Sequence, residues 1–111
     1  MKLLSLKVDL DGLNLRDAEV KDMTSQELMV RVIKNIILSY GQKQRGLGEE
    51  ERRKFYKLSD ALEKAAEEKK EEVELEDDWF GFLKKCKRES TLFPDSLLRK
   101  VEEAIDAVPD R

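Results

Sequence analysis

The stretch TSQELMVRVIKNIILSYG, Thr24 to Gly41, decides the fold. Its opening Thr24-Ser25-Gln26-Glu27 reads as a capping box. The Thr24 hydroxyl can accept from the amide of Glu27, and the Glu27 carboxylate can reach back to the amide of Thr24. Leu28, Met29, Val32, Ile33, Ile36, Ile37 and Tyr40 then recur at spacings of one, three and four. That spacing gathers them into one wide apolar stripe, which a helix must bury. Gly41 is expected to end the helix, because glycine accepts the left-handed conformation of a C-cap. This helix is the expected centre of the core.

Toward the N-terminus, Leu4, Leu6, Val8 and Leu10 alternate with Ser5, Lys7 and Asp9. Period two is the mark of a half-buried strand. Asp11-Gly12 follows and suits a tight hairpin turn, since both positions tolerate positive φ. Leu10 would then face Leu13, and Val8 would face Leu15. Arg16-Asp17 weakens that return, so a longer loop with Ala18 to Lys21 as the returning strand is an alternative. A lone hairpin is marginal in water and must lean on helices.

Toward the C-terminus, Gln42 to Gly48 reads as a polar loop. Glu49-Glu50-Glu51 complements the positive end of a helix macrodipole. Phe55, Leu58, Leu62 and Ala65 or Ala66 continue at helical spacing, and the helix fades over Glu67 to Glu72. Val73 and Leu75 are either a short extended segment or the lead-in to the next helix. Glu76-Asp77-Asp78 caps a third helix, with Trp79, Phe80, Leu83 and Cys86 on its apolar face and Phe82 alongside. Pro94 suits a first helical position, where its missing amide proton costs nothing. Leu97, Leu98, Val101, Ala104, Ile105 and Val108 give a fourth amphipathic helix, stopped by Pro109.

The expected fold is therefore α+β and mainly α, a single domain over residues 1–111. A β-hairpin region covers 1–23 and a helical region covers 24–108. The expected core comprises Leu6, Val8, Leu28, Val32, Ile33, Ile36, Phe55, Leu58, Leu62, Leu83, Leu97, Val101 and Ile105.

The chain's 111 residues are 40% hydrophobic and 42% charged, with 25 acidic and 22 basic side chains and a formal net charge of −3. The hydrophobic share permits a core, while the charge is well above the ~25% of ordinary domains. Dense charge of both signs points to solvated helix faces laced with i,i+4 pairs. Enrichment in Glu and Lys is also a thermophile trait, so a thermophilic source is an expectation. The acidic total argues against a dominant nucleic-acid or membrane field, because phosphate binding runs on Lys and Arg. No run of 18 apolar residues exists, so no membrane span is expected. Met1 to Leu10 lacks a continuous apolar core and a small-residue cleavage site, so no signal peptide is expected. Cys86 is the lone cysteine, which fits a reducing compartment and suggests the cytoplasm.

Histidine is absent altogether. That removes the commonest general base and the commonest nitrogen ligand for metals. The acidic run Glu71, Glu72, Glu74, Glu76, Asp77 and Asp78 could suggest a metal, but it lacks the glycine-turned loop an oxygen-ligand site needs. A helix cap with a solvated acidic face fits better. Gly41 to Gly48 holds three glycines and two cations, yet it follows a helix and runs into Glu49-Glu50-Glu51, which would repel phosphate. Cys86 lies on the Trp79–Leu83 face and reads as a small buried hydrophobe rather than a nucleophile. Nothing places a serine beside a suitable lysine. No enzyme activity, cofactor or metal is expected.

Two features remain. Trp79, Phe80 and Phe82 crowd one short segment, and a helix face cannot take all three easily. One left exposed would be an interface anchor, since tryptophan and tyrosine dominate binding hot spots. The alternative is that all three close the core against the hairpin. Arg45, Arg52, Arg53, Lys54 and Lys57 form a basic clump around Phe55 and Tyr56, and Lys84, Lys85, Lys87 and Arg88 form another. If the two merged in space, Arg45, Arg52, Arg53, Lys84 and Lys85 could contact a nucleic-acid backbone. The solvated-face reading fits the three preceding glutamates better.

The order of elements carries a resemblance. An apolar strand and Asp11-Gly12 turn precede a capped helix ending in Leu38-Ser39-Tyr40. A helix with Phe55-Tyr56-Lys57-Leu58 follows, then Glu72-Val73-Glu74-Leu75-Glu76-Asp77-Asp78, a short helix and a Pro94-led helix. This layout resembles small phage- and prophage-encoded helical proteins of uncharacterised role, and covers most of the chain. The resemblance implies an accessory or assembly role through protein contacts and carries over no site residues. The leading expectation is a non-catalytic interaction protein with a protein partner or a second copy of itself. A nucleic-acid-associated regulator is the alternative.

Overall fold

In the computed structural model, which describes residues 2–7, 24–90, 92 and 96–108, helix α1 spans Ser25–Lys43. Its start obeys the side chain of Thr24, whose Oγ1 accepts from the Glu27 amide at 3.2 Å. The whole expected stripe is buried, from Leu28 to Tyr40, and Val30 is buried too. The extra coverage follows from the packing, because α1 touches three other helices. Each such aliphatic side chain contributes about 1.5–3 kcal/mol when fully buried.

Gly41 does not end this helix. α1 runs two residues further, and Gly41 is buried where a Cβ would lie 3.3 Å from the Leu47 side chain. The glycine serves close packing of the returning loop. The true stop is a Schellman motif. The Gly46 amide donates to the Gly41 carbonyl at 2.6 Å, and the Arg45 amide donates to the Gln42 carbonyl at 3.1 Å. Arg45 therefore occupies the left-handed position with φ of 65°.

Helix α2 spans Glu49–Glu67 and places its three glutamates in the first turn. It ends in a second Schellman motif, with Lys69 at φ of 54° and Lys70 donating to the Ala65 carbonyl at 2.9 Å. The turn delivers the chain into β2, Glu72–Leu75.

Strand β1, Lys2–Ser5, pairs antiparallel with β2, with Leu4 opposite Val73 and Leu3 opposite Glu74. Val73 and Leu75 thus take the extended option, buried on one face while Glu72 and Glu74 are exposed. The Leu6 amide extends the ladder to the Glu71 carbonyl at 2.8 Å. The expected Asp11-Gly12 turn, its returning strand and Val8 lie outside the described residues.

Helix α3, Asp77–Glu89, and helix α4, Ser96–Asp106, complete the chain. The expected Pro94 start and Pro109 stop fall outside the described residues. α3 packs against α1 and α2, and α4 against α1 and β1. One core cluster draws on every element, with Leu4, Leu6, Ile33, Ile36, Leu58, Leu62, Leu75, Leu83, Val101 and Ile105 all fully buried. Phe55 and Leu97, expected inside, are only partly buried against it. No helix among the described residues is long and apolar enough to cross a membrane.

Candidate interaction groove

The three crowded aromatics separate. Phe80 and Phe82 are buried, which removes both as surface anchors. They lie about 200° apart around the helix at ~100° per residue. Both are covered because α3 is held between α1 and α2, so its buried arc is wide. Phe82 meets the Tyr40 ring edge to face, with centroids 6.2 Å apart. Trp79 alone stays half-buried, packed on the core but reaching a surface groove.

That groove lies between α2 and the first turn of α3 and encloses about 380 Å³. The α2 wall presents Glu50, Arg53, Lys54 and Lys57. Spacings of three, four and seven put these on one helix face. The facing wall presents Glu76, the N-cap of α3, with Asp78 and Trp79 from its first turn. None of these six charged side chains makes an ion pair or a side-chain hydrogen bond among the described residues.

Some charges elsewhere find partners. Lys34 pairs with Glu63 between α1 and α2, Lys87 with Asp106 between α3 and α4, and Arg99 with Glu103 along α4. The most elaborate pairing joins α1, α2 and α3. The Tyr40 hydroxyl, on a nearly fully buried side chain, donates to Glu51 Oε2 at 2.9 Å. Glu51 Oε1 accepts from the Gly48 amide at 3.2 Å, capping α2. Lys85 Nζ stands 4.0 Å from Glu51 Oε2 and 5.5 Å from the Tyr40 ring centroid. A hydrogen bond to the Tyr40 hydroxyl, with the Glu51 charge behind it, raises the Lys85 pKa and holds it as a cation. The signal for Glu51 was present in Gly48-x-x-Glu51, the spacing of a capping box. The Tyr40 contact had none, because it joins different helices.

This arrangement uses up part of the basic surface. Lys85 serves the Tyr40–Glu51 contact. Lys84 stands 5.8 Å over the Phe80 ring and lines a different groove, between α3 and α4, with Lys87, Arg88 and Asp106. Arg53 faces the carboxylates of the α2–α3 groove, Arg52 is exposed, and Arg45 is exposed at the helix cap. The two basic clumps therefore do not line one common groove. Lys54 and Lys57, expected on a solvated face, share the Arg53 groove.

Cys86 is fully buried, and burial, reinforced by the Glu51 charge, pushes its thiol up to about 12. A buried thiol held protonated at neutral pH is a poor nucleophile. Among the described residues, no group of three or more carboxylate or thiol side chains could hold a metal ion. A third groove, between α1 and α2, encloses about 310 Å³ and is lined by Glu27, Glu63 and Glu67 over Val30 and Ala66. Glu63 there is already paired with Lys34.

Comparison with protein-family models, with curated proteins and with solved structures finds no match for this chain.

Proposed function

We propose that this is a non-catalytic interaction protein that docks a protein partner in the α2–α3 groove, with Trp79 as the anchor. An accessory or assembly role, like that of the small phage-encoded proteins the layout resembles, fits this reading. The observation that carries it is the half-buried Trp79 at the edge of a groove whose six charges have no partner within the described chain. A central aromatic with a polar rim is the usual anatomy of a protein interface. The same groove disfavours nucleic acid. Glu50, Glu76 and Asp78 stand among Arg53, Lys54 and Lys57, so their charges cancel and phosphate gains little.

The test is capture of partners from the source organism's lysate by the tagged chain and its Trp79→Ala variant, with and without nuclease. A discrete protein retained after nuclease by the parent chain and lost by a folded Trp79→Ala supports docking in the groove. Equal capture by both chains sinks it. Recovery that depends on nucleic acid promotes the regulator reading instead.

A further inference from the structure

Resting on that reading of the groove, we propose that its occupant is a second copy of this chain, related by a two-fold axis. A two-fold interface brings each patch against its own copy, so the patch must be complementary to itself. The α2–α3 groove meets that condition. Its α2 wall carries Arg53, Lys54 and Lys57 against one carboxylate, Glu50, and its α3 wall carries Glu76 and Asp78. The walls therefore have net charges of +2 and −2, and the groove as a whole is neutral. Rotation about a two-fold axis sets the cationic wall of one copy against the acidic wall of the other. Each half-buried Trp79, which lies on the acidic wall, then meets the cationic wall of the other copy, whose Arg and Lys side chains cover its exposed face.

A partner of one sign would be attracted by one wall and repelled by the other. A second copy presents both signs in matching order. The charges are free to meet it, since none of the six is ion-paired or hydrogen-bonded through its side chain among the described residues. The two other grooves described above lack this property. The α3–α4 groove already joins Lys87 to Asp106 at 2.6 Å, and the three charged residues lining the α1–α2 groove are all glutamates.

The experiment is sedimentation equilibrium of the full chain over a wide concentration range. It is run at about 0.01 M and about 1 M salt, where screening lengths are about 30 Å and about 3 Å. The expected result is a monomer–dimer equilibrium weakened at least about tenfold by high salt. Arg53→Glu/Lys57→Glu and Glu76→Lys/Asp78→Lys, each checked for helicity by circular dichroism, should both be monomeric. Mixing the two should restore a heterodimer, because each then supplies the wall the other has lost. A parent chain that stays monomeric at low salt overturns the proposal, as does a dimer that both reversals leave intact or that mixing fails to restore. A monomeric chain whose captured partner still depends on Trp79 would remove only the second copy and leave the docking reading standing.

Discussion

Two places where α2 meets α3 use charge in opposite ways. At the first, Tyr40, Glu51 and Lys85 converge from three helices, and both oxygens of the Glu51 carboxylate are occupied. At the second, beside Trp79, six charged side chains line a groove without a partner among the described residues. The first has the character of a structural seam and the second of a surface kept open. The difference lies in depth. A buried tyrosine hydroxyl must be satisfied within the fold, since leaving it unpaired costs about 1–3 kcal/mol. Exposed lysines and glutamates are satisfied by water and need not be paired at all.

The largest expected effect breaks the seam. Tyr40→Ala removes a nearly fully buried ring and its edge-to-face contact with Phe82, and should cost about 3–5 kcal/mol in urea unfolding. Tyr40→Phe keeps the ring and removes only the hydroxyl, so about 1–2 kcal/mol is expected. Equal losses from the two would show that the Glu51 contact, not packing, holds the seam.

An intermediate effect comes from Cys86 behind the same seam. An unfolded thiol ionises near its ordinary value of 9.0, whereas the folded thiol waits until about 12. The folded state therefore binds the extra proton between those values. Its contribution to stability is complete below about pH 9 and falls as pH rises toward 12. The slope at most is ~1.4 kcal/mol per pH unit. The parent chain should lose stability over this window faster than Cys86→Ala. Native thiol labelling at pH 8 should be slow and should become fast on addition of denaturant. Prompt labelling of the folded chain would show that Cys86 is open to solvent.

The smallest expected effect is at the groove. Arg53→Ala and Lys57→Ala remove exposed charges that touch no described partner, so each should change stability by under about 0.5 kcal/mol. Thermal unfolding of dilute chain measures this. A loss above ~1 kcal/mol would make the groove part of the fold's own support and erase the contrast with the seam.

Much of this architecture was legible in the chain itself. The stripe from Leu28 to Tyr40, the Thr24 cap and the first-turn glutamates of α2 are local patterns, and a helix forms from local patterns. Even so, both Schellman stops were hidden, because Arg45 and Lys69 hold left-handed positions where glycine is the usual sign. The groove was half legible. Trp79 and Arg53 stood out as residue types, but Glu50, Glu76 and Asp78 fitted best as the acidic starts of helices.

Local patterns specify an α+β, mainly helical chain with four amphipathic helices, and composition adds the absence of histidine and a dense, nearly balanced charge. Tertiary structure alone decided that β1 pairs with β2, nearly seventy residues away in the chain. It also decided that Phe80 and Phe82 go inside while Trp79 stays at the surface, and that, among the described residues, Glu51 and Lys85 are engaged while Arg53 and Lys57 are not. The physical reason is range. Periodicity and capping act between residues a few positions apart. Burial and charge pairing depend on which distant elements are brought together, and no local spacing encodes that.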